Sequence, residues 1–419
     1  MASNTLSDIY NFAKPEYISG LRSSLLFNPF TEMKIEIVKK IIKKKMKDSK
    51  TMRIDEWLDE KSEYRNDIFL TMIMTYRLKH EDRKQIMSDL DVVKDIPKLF
   101  IYAHETILSS DSKAVFSPLR DILNIVWNGS HCSAKFGRKC YNDGVVKLIV
   151  KKLLTNWRFS STSVSDKTFD LNKKERRRLL VGYLSILNNI LRLNDDLRKP
   201  IRNLGCVEVI CKLKENIIND PKKSSDTACL TILSYLIIHE DEIEMIKMKE
   251  ENVLYLESNL ESSLQSAEHF DTVKGLLSDS LIAINHLAVN DENKILMIRY
   301  IPLLSDTVQK ALTGDEQELA IRCLKTLILS MNCKKVLKQK KYIIIIKRAA
   351  EKGMNSTVKE LAKTLLTEIE KQAVMPTKAP PECAQKDPEE RLMLKRKQPL
   401  TRGFISKKKC SPEENVKKK

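Results

Sequence analysis

Apolar residues recur at three- and four-residue spacing through most of this chain, the pattern of helices that each bury one face. Within that pattern one short signature returns: two apolar residues, a variable residue, a polar position, then usually another small or apolar pair. It occurs as Ile125-Val-Trp-Asn128-Gly-Ser, Ile186-Leu-Asn-Asn189-Ile-Leu, Ile232-Leu-Ser-Tyr235-Leu-Ile, Ala283-Ile-Asn-His286-Leu-Ala and Cys323-Leu-Lys-Thr326-Leu-Ile. The polar positions are separated by 61, 46, 51 and 40 residues. A second feature keeps a fixed distance from the first. Sixteen residues beyond each polar position an apolar helix begins, marked by Gly144, Gly205, Glu251, Pro302 and Tyr342. Five coincident offsets define a repeat.

Each unit reads as a short helix, a turn often carrying Gly, a second apolar helix, a loop, and a third helix that ends in the signature. None can bury its apolar face alone, so neighbours must stack. In the clearest unit the spacing predicts helix entry at Asn194 and chain reversal at Gly205, where a positive φ costs glycine nothing. Pro200 is expected to shorten or kink the helix between them. The long interval of 61 has its cause in a polar insertion at 157–174, and a polar stretch at Glu261–Asp271 lengthens the interval of 51. Upstream, Ile68–Met74 and Ile96–Tyr102 read as helices of a degenerate first unit or cap. Met33–Lys47 reads as a basic amphipathic helix, favoured as a cap over a membrane-surface element. The organisation expected is therefore 1–50 as an N-terminal segment, 51–372 as the repeat domain, and 373–419 as a basic, proline-broken, disordered tail.

Composition supports an all-α class, since 10 Gly and 13 Pro in 419 residues leave few tight turns. Of the net charge of +18, +7 lies at the C-terminal end, where 13 Lys or Arg stand against 6 Asp or Glu from Ala373 to Lys419, and the body is only mildly basic. Nine cysteines without paired spacing suit a reducing compartment. With no apolar run of the length a membrane span needs, a cytoplasmic location is expected, with Lys395-Arg-Lys397, Lys407-Lys-Lys409 and Lys417-Lys-Lys419 as short clusters that could direct nuclear import.

The units resemble armadillo repeats, whose pattern is Ala-Leu-x-Asn-Leu, then Asn-Arg-x-x-Ile, then Gly-Gly-Ile-Pro-x-Leu-Val. The segments around Asn128 and Asn189 match best, while Tyr235, His286 and Thr326 depart from the Asn. The resemblance implies an all-α, right-handed superhelical solenoid of about five recognisable three-helix repeats plus a degenerate N-terminal unit. It also implies a groove in which Asn128 and Asn189 hydrogen-bond the backbone of an extended peptide. Tyr235, His286 and Thr326 occupy the equivalent groove positions, and the competing reading has these polar residues capping or stitching neighbouring repeats. One helical turn before them, where import receptors of this family carry Trp, stand Asn124, Ser185, Thr231, Ile282 and Arg322, so the aromatic ladder is absent.

No catalytic motif, phosphate loop or cofactor signature is found, and no metal site is expected. His131, Cys132 and Cys140 come nearest to a metal cluster but have the wrong spacing for zinc and read as packing. The acidic run Glu240–Glu244 reads as a helix start. The expected function is a non-enzymatic scaffold or adaptor holding an extended or helical segment of a protein partner in the groove. The alternatives are a truncated or regulatory relative of invertebrate armadillo–TIR signalling proteins, without their catalytic part, and a nuclear or nucleic-acid-associated factor acting through the basic tail.

Overall fold

The computed structural model describes residue 39 and residues 80–106, 116–155, 173–216, 224–266 and 274–371; the calls on Met33–Lys47 except residue 39, on Ile68–Met74, on the insertion up to residue 172 and on the tail lie outside these. The described chain is helical throughout, with no strand among the described residues. Six units follow one another. The first comprises α1 (His80–Ser88), α2 (Ile96–Thr106) and α3 (Phe116–Cys132), and the second α4 (Ala134–Asn142), α5 (Val145–Thr155) and α6 (Lys173–Leu193). The third comprises α7 (Arg198–Asn203), α8 (Cys206–Asn216) and α9 (Ser224–Leu236). In the fourth, a 3₁₀ segment, Glu240–Ile246, takes the place of the short first helix before α10 (Glu250–Ser266) and α11 (Lys274–Leu287). The fifth comprises α12 (Asp291–Leu296), α13 (Ile301–Lys310) and α14 (Gly314–Leu327), and the sixth α15 (Met331–Leu337), α16 (Lys340–Lys352) and α17 (Ser356–Glu370).

The third helices pack in sequence, α3 on α6, α6 on α9, α9 on α11, α11 on α14 and α14 on α17, while the second helices form a parallel layer behind them. This is an all-α solenoid of armadillo-like three-helix units. Its core is one unbroken chain of buried aliphatics from Ile86 to Ile369. The turn into the second helix falls where the repeat offset places it, with Gly144 at φ 94° and Gly205 at φ 79°. Beyond the five signatures, α17 forms a sixth third helix in which Glu368 takes the polar position and reaches Lys325 of α14 at 3.7 Å.

Three local expectations change. Pro200 lies in the first turn of the six-residue α7, where its missing N–H leaves no helical hydrogen bond unmade, so it fits without a kink. Asn194 does not cap that helix with its side chain; its Nδ2 donates to the Ile190 carbonyl at 3.1 Å and closes the end of α6. The first part of the Glu261–Asp271 stretch belongs to α10, which continues to Ser266.

Polar side chains lock adjacent units together. Asn293, fully buried, accepts from the Met248 N–H at 2.7 Å and donates to the Ile246 and Leu287 carbonyls, each at 2.9 Å, joining units four and five. Gln317 donates to the Val308 carbonyl at 2.7 Å and accepts from the Met354 N–H at 2.9 Å, joining five to six. Where α6 crosses α3, a Cβ on Gly182 of α6 would lie 2.4 Å from Leu123 of α3, so glycine is what lets these third helices approach.

Candidate functional site

The five signature residues all fall near the C-terminal ends of third helices, but their side chains have different surroundings. Asn189 is buried and donates to the Trp127 carbonyl at 3.4 Å and Ser130 Oγ at 3.3 Å, both on the preceding third helix. Its amide therefore stitches unit two to unit one. Tyr235 is buried with its ring edge-on to His286 at 4.6 Å and the Arg198 guanidinium 5.0 Å from its centroid. Burial, with Arg198 nearby, holds the His286 imidazole down at about 4, so it is neutral at pH 7. Thr326 donates to Asn285 Oδ1 at 2.8 Å, again across a unit boundary. Asn128 and His286 are half-buried with no side-chain hydrogen bond among the described residues, and of the two only Asn128 carries an amide. One free amide does not make a ladder.

The position three residues beyond each signature residue is more informative. In the first two units it is His131 and Arg192, and both converge on Asp279 of α11. His131 Nε2 lies 3.0 Å from Asp279 Oδ2, Arg192 Nη1 lies 2.7 Å from Oδ1, and Arg192 Nη2 donates to the His131 carbonyl at 2.9 Å. Asp279 belongs to the fourth unit, so this clasp joins third helices that are not neighbours in the stack. Such a contact requires the third-helix layer to line the inside of the curve, and it occupies that inner face between units one and four.

In the next three units the same position is Ile238, Val289 and Leu329. These side chains are 55%, 51% and 72% exposed. Each sits in a tight turn between a third helix and the next unit, and each turn is pinned. Glu242 accepts from the N–H groups of Ile238 and His239 at 3.1 and 3.4 Å while paired with Arg202, which holds its carboxyl down at about 2. Behind Val289, Asn290 caps α12 and donates to the Ile243 carbonyl at 3.2 Å. At Leu329, the Ser330 N–H donates to the Leu327 carbonyl at 3.0 Å. Three exposed aliphatics at one register position of consecutive units form an apolar stripe along the rim of the inner face.

Sequence reasoning missed this stripe because an apolar residue ending a helix reads as core. Its signal was the polar residue that follows each time, His239, Asn290 and Ser330, which starts the next unit and leaves the preceding side chain outside. Asp279 was equally hidden as one carboxylate within an apolar helical run. The His131, Cys132 and Cys140 group does not assemble, since His131 turns to Asp279 while the two cysteines are buried, with desolvation pushing the Cys132 thiol up to about 12 and Cys140 higher still. No group of three metal-ligating side chains occurs among the described residues, and no helix among them is long and apolar enough to cross a membrane.

The clasp should be measurable. Asp279→Asn is expected to cost about 2 kcal/mol, because Arg192, only 9% exposed at its side chain, loses its counter-ion. Urea unfolding of Asp279→Asn, Arg192→Met and the double variant should show non-additivity of about 1 kcal/mol or more; strict additivity would mean the pair is not coupled.

No family model matches the chain, and no curated protein matches it. Among solved structures it is similar to an engineered protein at 17% identity and TM-score 0.38, covering 66% of this chain and 96% of the other. A designed armadillo repeat protein is similar at 13% identity and TM-score 0.38, covering 65% and 99%. Another, in complex with the peptide (KR)4, is similar at 14% identity and TM-score 0.36, covering 66% and 99%.

Proposed function

We propose that this chain is a non-enzymatic protein-binding scaffold whose partner lies along the rim of units three to five. The supporting observation is the recurrence of Ile238, Val289 and Leu329, because exposed aliphatics repeated at one register position offer a row of apolar contact points at a spacing set by the stack. An extended or helical segment with apolar side chains facing the rim is the ligand this row fits. The inner face between units one and four is a poorer candidate, because Asp279, His131 and Arg192 already occupy it and Asn189 is engaged between units.

Replacing each rim residue by Asp leaves the core untouched and should weaken partner binding by about 10-fold per residue, the loss of one buried aliphatic contact and the desolvation of a carboxylate. Asn128→Ala should change it by less than about 3-fold. The partner is first isolated from lysate with the wild-type chain, and the variants are then compared by titration. Unchanged binding in the rim variants together with loss in Asn128→Ala would move the interface back to the groove amides.

A further inference from the structure

We infer that the outer face of α16 is a docking surface for an anionic phospholipid bilayer. On a helical wheel the exposed residues of α16 cover an arc of about 140°. It carries Lys340, Lys341, Lys347, Arg348 and Lys352, with Glu351 as its one acid, and Ile344 stands near the middle of the arc, 53% exposed. The opposite side of the helix packs on α17 and α13, so this arc faces outward.

Five cations gather on this one arc, and none of them is drawn into an ion pair with its single acid, Glu351. Elsewhere Arg138 pairs with Asp196, Lys247 with Glu292, Arg299 with both Glu250 and Glu257, and Arg322 with Glu318. Among the described residues, none of the five α16 cations has an ion pair; Lys341 instead lies 4.6 Å from the Tyr342 ring centroid. An array of uncompensated charge on a fixed helix attracts a polyanion.

A bilayer suits this array better than a nucleic acid does. Four of the five cations are lysines, which act as point charges toward phosphate and serine headgroups, and no exposed aromatic is present on the arc to stack a base. An exposed aliphatic at the centre of a ring of lysines is the arrangement of helices that lie in the headgroup layer, with the apolar residue dipping toward the acyl chains.

The test is co-sedimentation of the full chain with vesicles of phosphatidylcholine alone and of phosphatidylcholine containing 30% phosphatidylserine, the mole fraction being a choice of probe on the order of cytoplasmic-leaflet composition. Binding should require phosphatidylserine, and the variant Lys340→Gln/Lys341→Gln/Lys347→Gln/Arg348→Gln should weaken it by about 10-fold or more. Ile344→Ser, which leaves the charge unchanged and alters no buried position, should weaken it by about 3-fold, separating insertion from bulk attraction. Unaltered far-ultraviolet circular dichroism establishes that each variant is folded. Equal binding to both vesicles, or undiminished binding of the quadruple variant, overturns the proposal and places any lipid affinity elsewhere in the chain. Duplex RNA that displaces the vesicles while binding Ile344→Ser and wild type alike would overturn it in favour of a nucleic-acid surface.

Discussion

Replacing Asn293 with Ala is expected to lower the free energy of unfolding by about 3–5 kcal/mol, since each buried backbone group left without a partner costs about 1–3 kcal/mol. The side chain is fully buried and satisfies three such groups, the Met248 N–H and the carbonyls of Ile246 and Leu287, of which only the Leu287 carbonyl keeps another donor, the Asn290 N–H at 3.4 Å. Alanine fills none of those roles. Two of the three lie in the segment leading into α10, so the lesion falls on the boundary between units four and five. In a quasi-linear stack, weakening one interface uncouples what lies beyond it. Urea unfolding of the variant should therefore become biphasic, with amide exchange accelerating first in α12–α17. A single cooperative transition displaced by less than about 1 kcal/mol would mean the three bonds contribute little beyond what water supplies.

The second large effect is acid sensitivity centred on His104. This residue is fully buried, its ring 4.2 Å from Phe100 and its Nδ1 hydrogen-bonded to the Tyr183 hydroxyl at 2.7 Å, joining units one and two. Burial, with Lys152 adding repulsion, holds the imidazole down at about 3. In the unfolded chain the same group titrates near its ordinary value of about 6.5, so between these values the unfolded state binds the proton and the folded state does not. The stability from this site is fully present above pH about 6.5 and is lost as the pH falls toward 3, by an amount on the order of 4–5 kcal/mol across the window. His286, held at about 4 at a less buried site, works in the same direction. The measurement is the urea midpoint between pH 7 and pH 5, above most carboxylate titrations. His104→Phe combined with Tyr183→Phe removes the proton site and the hydroxyl it would strand, and should flatten the profile. An unchanged slope would place the acid sensitivity elsewhere.

The helical periodicity and the sixteen-residue offset made the stack legible because both are consequences of burial, which acts on every unit alike. Gly144 and Gly205 were legible for the same reason, as positions that need positive φ. The polar contacts were not. Asn189 carries the residue type of a groove amide, yet Ser130 and the Trp127 carbonyl lie within its reach only once α3 and α6 pack, and nothing local in the sequence encodes that choice. Asp279 meets His131 across 148 residues of chain, a distance at which only the curvature of the whole stack decides the partner. The rim residues were concealed by the reverse effect: Ile238, Val289 and Leu329 continue the apolar pattern, and only the end of each third helix puts them outside.

The central claim is that one partner lies along the rim. It is tested most directly by placing a photo-cross-linking amino acid in turn at Ile238, Val289 and Leu329, and at Leu154, which is exposed at the end of α5 and away from the rim. The account predicts that the same partner, identified by mass spectrometry, is captured from all three rim positions, is not captured from Leu154, and is lost from the flanking positions when Val289→Asp is introduced. Capture of unrelated proteins from the three positions, or equal capture from Leu154, would contradict it.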